Sequence, residues 1–308
     1  MIVTLTLNPA VDKSTEIENL VPEKKMRCAT MQTDAGGGGI NISKAIQELG
    51  GRSIAVFTCG GINGKVLTHL VNNESITAQA IEIKEETRES FVVNELQTNK
   101  QFRFVMPGPS LSAEELQKIK EAVAALDKAS FLISSGSLPP NVPAEFLGDL
   151  ADIARSRGIR FIVDTSGPPL KAALEKGVYL LKPNLTELCS LVSKPHLDMV
   201  EIEDAAMQVI QTKQCEIMVV SMGPSGAMLV TKNEIKQFRA PVVKKQTTVG
   251  AGDSMVAGIV WMIDHGKSIA DAVRFGIACG SAATINKGTQ LFKKEDALRF
   301  YDWMAKNG

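Results

Sequence analysis

Thr247-Thr248-Val249-Gly250-Ala251-Gly252-Asp253-Ser254 runs straight into the apolar stretch Met255-Val256-Ala257-Gly258-Ile259-Val260. Small residues at 250 to 252 leave the backbone open, so successive N–H groups can converge on one point, and the dipole of the following helix reinforces them. That arrangement suits the charge that develops on a transferred phosphoryl group. Asp253, at the same helix start, is placed to accept a proton from a substrate hydroxyl. The helix N-terminus is expected to keep Asp253 ionised, so that its contribution comes from position rather than a raised pKa. Taken alone, the motif also reads as an ordinary N-cap aspartate after a glycine turn. Its surroundings decide between the two.

Upstream, short runs rich in β-branched residues alternate with helical patterns. Strands are expected at Ile2 to Leu7, Ser53 to Thr58, Phe131 to Ser134, Arg160 to Val163, Val178 to Leu181 and Ile217 to Ser221. Several are apolar throughout, as strands covered on both faces should be. Helices are expected at Ile40 to Leu49, Ala113 to Leu126, Pro143 to Arg157 and Ile202 to Thr212. Beyond Gly252 the chain reads as helices over Ser254 to Asp264, Ile269 to Ile285 and Lys294 to Ala305. This is an α/β pattern: a central, mostly parallel sheet with helices on both faces. Two segments, 12–34 and 87–106, break the rhythm. The second reads as strands Ser90 to Leu96 and Gln101 to Met106 joined by a turn at 97–100. Together they predict a small β-sheet that acts as a lid, pairs with a second copy, or does both. With no repeat, low-complexity tract or linker, residues 1–308 read as one unit.

The chain has 308 residues, and its 34 Lys plus Arg balance 34 Asp plus Glu. Such a chain lacks the broad positive field of a nucleic-acid binder, so cations that serve a ligand must be concentrated locally. The five cysteines form no C-x-x-C pair and read as reduced thiols of a cytosolic protein. The three histidines have no zinc-ligand spacing. No membrane span or secretion signal is legible, which points to a cytoplasmic protein.

Ala35-Gly36-Gly37-Gly38-Gly39-Ile40-Asn41 precedes a helix. Its glycines allow backbone to approach a ligand, and the helix start favours anions or sugar hydroxyls. The run is not a dinucleotide fingerprint. Gly60-Gly61-Ile62-Asn63-Gly64-Lys65-Val66 mimics a phosphate-binding loop but is one residue short, and Val66 has no hydroxyl for Mg²⁺. Leu181-Lys182-Pro183-Asn184-Leu185-Thr186-Glu187 closes a strand and opens a helix. Asn184 and Glu187 then fall one turn apart, where they suit either a water-bridged Mg²⁺ or a helix cap. Ser221-Met222-Gly223-Pro224-Ser225-Gly226 is a strand end and turn usable for nucleotide phosphate.

The glycine run ending in Asn41, the Asn184 to Glu187 spacing and Gly250-Ala251-Gly252-Asp253 resemble, in that order, the ribokinase-like (PfkB) sugar kinases. Ser135-Gly136-Ser137-Leu138-Pro139-Pro140 and Asn286-Lys287-Gly288-Thr289 look like further family stretches. Thr247-Thr248 and Leu7-Asn8-Pro9-Ala10-Val11-Asp12 are similar to the hexose-phosphate branch. Members that act on fructose 1-phosphate or tagatose 6-phosphate usually carry Gly-Lys-Gly where this chain has Gly37-Gly38-Gly39. Lys25-Met26-Arg27-Cys28 and Arg103-Phe104-Val105-Met106-Pro107-Gly108 resemble the branch that uses fructose 6-phosphate.

The resemblance implies ATP-dependent phosphorylation of fructose 6-phosphate at O1. It places Asp253 as base and the Gly250, Ala251 and Gly252 amides around the transferring group. Asp12, Asn41, Gly37, Gly38, Gly39 and Ser137 would surround the sugar. Lys182 and Asn184 would face the ATP phosphates, with Glu187 towards Mg²⁺ through water. Ser221, Gly223, Gly226 and Thr248 would bound the nucleotide, with Ser281 on the adenine side. A substrate that already carries a phosphate needs cations, and Lys25, Arg27, Arg88 and Arg103 fall on the two lid segments. One of Lys25 and Arg27 is expected to reach a neighbouring subunit's site in a homodimer. Thr247, Val249, Ala283, Asn286 and Gly288 match the positions where some relatives hold a monovalent cation such as K⁺. The competing readings are a 1-phosphofructokinase or tagatose-6-phosphate kinase activity, a non-catalytic sugar-phosphate sensor, and a nicotinamide oxidoreductase that lacks the glycine fingerprint.

Overall fold

A computed structural model describes residues 1–212, 214–286, 288 and 290–307. The strands, in chain order, are β1 (Ile2–Thr6), β2 (Ala10–Ile17), β3 (Gln32–Gly36), β4 (Ser53–Cys59), β5 (Thr77–Glu82), β6 (Arg88–Glu95), β7 (Lys100–Val105), β8 (Phe131–Ser135), β9 (Arg160–Asp164), β10 (Val178–Leu181), β11 (Cys215–Ser221), β12 (Ala227–Thr231) and β13 (Ile235–Phe238). The helices are α1 (Gly38–Glu48), α2 (Gly61–Asn73), α3 (Ala113–Ala124), α4 (Phe146–Ser156), α5 (Pro168–Lys176), α6 (Leu185–Leu191), α7 (Met199–Gln211), α8 (Ala251–Asp264), α9 (Ile269–Thr284) and α10 (Lys294–Asn307).

Every residue of β1 is buried, because the strand lies inside a nine-stranded sheet ordered β13-β12-β11-β10-β9-β8-β1-β4-β5. From β5 to β11 all neighbours are parallel; β12 and β13 add an antiparallel edge. Alternate residues of these strands enter two cores. Val3, Leu5, Leu132, Val163 and Met218 pack with Ile119, Leu150 and Ile202 on one face. Ile2, Ile133, Ile162, Leu180 and Val219 pack with Ile42, Val256, Ile259 and Phe275 on the other. Each such buried side chain contributes about 1.5–3 kcal/mol. Both layers thus hold the sheet, and the carboxyl ends of its parallel strands are left to present polar residues.

The segments expected to form a small sheet do so, in the order β3-β2-β6-β7. Asp12 lies opposite Asp34 and Ser90, and Val92 lies opposite Arg103. Register partners share a face, so Asp12, Asp34 and Arg103 look the same way. Lys13, Phe91 and Phe104 occupy the opposite face. Among the described residues no helix is long and apolar enough to cross a membrane.

Candidate active site

Gly250 caps α8 in the left-handed conformation, φ 71°, and a Cβ there would come within 2.4 Å of Leu291 Cδ2. Helix α8 therefore begins one residue later, and Asp253 is its third residue rather than its cap. Freed from capping, the Asp253 carboxylate turns to α1 and β8. Its Oδ2 accepts Asn41 Nδ2 at 2.9 Å and its Oδ1 accepts the Ser135 hydroxyl at 3.4 Å. The expectation of an unshifted acid is corrected here. Loss of hydration, with the charge of Asp164 added, raises the Asp253 pKa to about 6, against the opposing pull of Asn41 and Lys182. The helix start does not outweigh desolvation.

The four glycines before Asn41 serve different neighbours. A Cβ at Gly36 would sit 2.1 Å from Asp12 Oδ2, and one at Gly38 would sit 2.1 Å from Ser135 Oγ and 3.1 Å from Asp253 Oδ1. Gly37 and Gly39 instead pack against Thr6, whose hydroxyl receives the Ile40 N–H at 3.1 Å. Of Gly37 to Gly39, expected to line the sugar pocket, Gly38 faces Ser135 and Asp253 while Gly37 and Gly39 seat α1 on β1. Asp12, Asn41, Lys44, Val249 and Asn286 line one cavity of about 330 Å³. Within it, lost hydration and neighbouring Asp34 lift the Asp12 pKa to about 6, opposed by Arg88, Lys44 and Arg103.

Lys182, directly after β10, is 5% exposed and pairs with Asp164 at the end of β9, Nζ to Oδ1 3.2 Å. Burial alone would strip its charge, but Asp164, Glu187 and Asp253 hold its pKa above the ordinary lysine value. A Cβ at Gly252 would lie 3.5 Å from this ammonium, so the cation borders the glycine-opened helix start. Asn184 and Glu187 form a capping box: Asn184 Oδ1 accepts the Glu187 N–H and Glu187 Oε2 accepts the Asn184 N–H, both at 2.9 Å. The capping reading therefore holds for both side chains, while Glu187 Oε1 makes no hydrogen bond among the described residues. Burial raises the Glu187 pKa, with Asp164 adding to it against Asn184 and Lys182. Among the described residues no group of three His, Cys, Asp or Glu side chains could enclose a metal. The acids present fit a Mg²⁺ that arrives on nucleotide phosphates and keeps its waters.

Ser221 bridges to Asn184 and donates its N–H to Pro183 O at 2.8 Å. Gly223 has open space around its Cβ position, whereas Gly226, φ 96°, is pressed against Phe238 O and serves the β12 turn. Thr248 Oγ1 receives Arg103 Nη2 at 3.3 Å, a link from the small sheet to the α8 start. Arg88 donates through Nε and Nη2 to Asn8 O at 3.3 and 3.0 Å and through Nη1 to Met106 O at 3.2 Å. Burial lowers its pKa and Asp12 opposes this. Lys25 and Arg27 lie on the exposed loop between β2 and β3. Ser137 is exposed and receives Asn8 Nδ2 at 3.1 Å; the serine that reaches Asp253 is Ser135.

Thr247 N–H binds Thr284 O at 3.2 Å, and Asn286 N–H binds Ala283 O at 3.4 Å. The start of the 247–253 segment is thus tied to the end of α9, where Ser281 and Ala283 lie. Lys287 and Thr289 of the Asn286 to Thr289 stretch fall outside the described residues. Sequence reading missed Asp164 and gave Ser135, quoted only within a family-like stretch, no place in the site. Both end apolar parallel strands, the place where ligands meet open α/β sheets, and that position was the signal available.

A half-buried carboxylate at a glycine-opened helix start, faced by a sealed lysine and linked to a small sheet through Arg103 and Thr248, defines a phosphotransferase that works on a hydroxyl. The chain belongs to the pfkB family of carbohydrate kinases, whose profile matches residues 1–296. It is 40% identical to the ATP-dependent 6-phosphofructokinase isozyme 2 of Escherichia coli over 99% of both chains. With the 1-phosphofructokinase of Borreliella burgdorferi it shares 30% identity over 92% of each. The crystal structure of Escherichia coli phosphofructokinase-2 in complex with potassium superposes with a TM-score of 0.95, covering 99% of both chains at 40% identity.

Proposed function

We propose that the protein transfers the γ-phosphoryl group of ATP to O1 of fructose 6-phosphate, giving fructose 1,6-bisphosphate and ADP. The observation that carries this reading is Asp253, held by Asn41 and Ser135 in front of Lys182. Asp253 in its ionised form takes the O1 proton as that oxygen attacks phosphorus. The first-turn amides around Gly250, Ala251 and Gly252 meet the charge on the transferring group, and Lys182 neutralises the phosphate chain. Mg²⁺, when bound, would neutralise the β- and γ-phosphates, with Glu187 and Asp164 reaching it through water.

Asp12 and Asn41 hold sugar hydroxyls beside Gly38, with Ser137 at the rim. Arg88, Arg103, Lys25 and Arg27 supply the cations for the 6-phosphate, the last two to a partner subunit's site. Ser221, Gly223 and Thr248 bound the nucleotide, with Gly226 and Ser281 behind them. The carbonyls of Thr247, Val249, Ala283, Asn286 and Gly288 are the proposed K⁺ positions, supported by the potassium in the Escherichia coli relative's structure. The partner is a second copy through the small sheet, supported by Leu96, Phe104, Val105 and Met106, each more than 40% exposed there. A cytoplasmic location is supported by five free cysteines.

Coupled ADP release measured with fructose 6-phosphate, fructose 1-phosphate and tagatose 6-phosphate tests the assignment. The first should win by at least about tenfold in kcat/KM. Preference for fructose 1-phosphate would replace this reading with the 1-phosphofructokinase one. Asp253→Asn should lower kcat by at least about 10²-fold with little change in KM.

A further inference from the structure

Ser135 is the last residue of β8, 5% exposed, and its hydroxyl donates to Asp253 Oδ1. We infer that Ser135 is a positioning residue for Asp253, and that position 38 must lack a side chain for Ser135 to reach it. The inference rests on Asp253 being the base, and it goes further by naming what aims that base.

Three residues from distant parts of the chain meet at one point. A Cβ on Gly38 would lie 2.1 Å from Ser135 Oγ, 2.9 Å from Ser135 Cβ and 3.1 Å from Asp253 Oδ1. A methyl group there would displace the hydroxyl from the carboxylate. With Ser135 in place, Asp253 has one donor on each oxygen, Ser135 on Oδ1 and Asn41 on Oδ2. Two donors from two rigid elements, β8 and α1, fix the plane of the carboxylate. Its remaining lone pairs are left for the sugar hydroxyl.

The charged groups that face Asp253 are Asp164 from β9 and Lys182 from the end of β10. Glu187 on α6 acts on Lys182 rather than on Asp253. From β8 and α1 come only the neutral donors Ser135 and Asn41, which stabilise the ionised form. Removing Ser135's hydroxyl therefore raises the Asp253 pKa, and the acid limb of the rate profile moves upward. The Ser135 bond is longer than the Asn41 bond, so its loss moves the limb less.

The test compares kcat/KM against pH for the wild-type chain, Ser135→Ala, Gly38→Ala and the double variant. Ser135→Ala should shift the acid limb up by about half a pH unit and lower kcat about fivefold, with KM for ATP within about twofold. Gly38→Ala should show the same shift, and the double variant should lose no more than Gly38→Ala alone. Thermal unfolding of each variant separates a positioning effect from a folding defect. If Gly38→Ala does not fold, the Ser135→Ala profile decides. An unmoved acid limb in Ser135→Ala, with Asp253→Asn inactive, would overturn this inference and leave the base in place. Turnover by Asp253→Asn would remove both.

Discussion

Lys182 Nζ lies 3.2 Å from Asp164 Oδ1 in a pair with side chains only 6% and 14% exposed. A cation so enclosed keeps its charge only through its partner, since removing one member of a buried pair leaves the other uncompensated. Asp164→Ala is therefore expected to lower stability by about 3 kcal/mol, with Glu187 and Asp253 limiting the loss. Urea unfolding reads this directly. The KM for ATP should rise at the same time. An unchanged unfolding midpoint would show that Lys182 does not depend on Asp164.

Asp253 carries an ionisation cost that is visible in stability. Its pKa rises from an ordinary 3.8 to about 6 in the folded chain. Near pH 4 and below, the folded state holds the carboxyl proton without penalty. As pH climbs through about 6, the folded state must ionise a group that resists, and that stability is lost. Asp253→Asn should thus raise the unfolding free energy by about 3 kcal/mol at pH 8 and by only about 1 kcal/mol near pH 4.5. Equal differences at the two pH values would contradict the shift. Activity of the wild-type chain should fall below about pH 6, since the proposed base acts in its ionised form.

Much of this site was legible in the sequence. Gly250 to Asp253, Asn41 and Lys182 were placed by motif, and the structure brings them together. Strands apolar on both faces announced the sheet's centre. Its edges did not: β5 reads Thr-Ala-Gln-Ala-Ile-Glu with mostly exposed residues, and β13 reads Ile-Lys-Gln-Phe with three exposed residues. Edge strands meet only one neighbour, so their patterns are weak. Asp164 and Ser135 escaped for another reason. Each closes a strand built on an apolar run, and only the parallel register of β8 and β9 aims them at Asp253.

Arg103 reaches from β7 to Thr248 while remaining exposed, with Gln101 Oε1 orienting its Nε at 2.9 Å. Arg103→Met should raise the KM for fructose 6-phosphate about tenfold or more, as loss of a charge-assisted phosphate contact does. Stability should hardly move. Arg103→Lys should rescue little, because an ammonium cannot serve Thr248 and a phosphate with one planar fork. Equal effects on the KM values of sugar and ATP would place Arg103 elsewhere.

Phe104 is 48% and Val105 66% exposed on the small sheet. Phe104→Glu should yield a monomer by sedimentation at micromolar concentration, because a charge at a buried interface is costly. Turnover at low fructose 6-phosphate should drop with it if Lys25 or Arg27 serves the partner subunit. A wild-type chain that sediments as a monomer would refute the pairing.

Strand β1 sits between β8 and β4, so one flank of the chain's first strand stays bare until Phe131 has been made. At roughly 5–20 residues per second on the ribosome, the intervening stretch takes on the order of ten seconds. The Asn41–Asp253 bond spans 212 positions and closes only later still. A nascent chain therefore carries an apolar strand with one bare flank until β8 is made, and the contact between α1 and α8 follows only later. Chaperone demand during synthesis should accordingly be highest before β8 emerges.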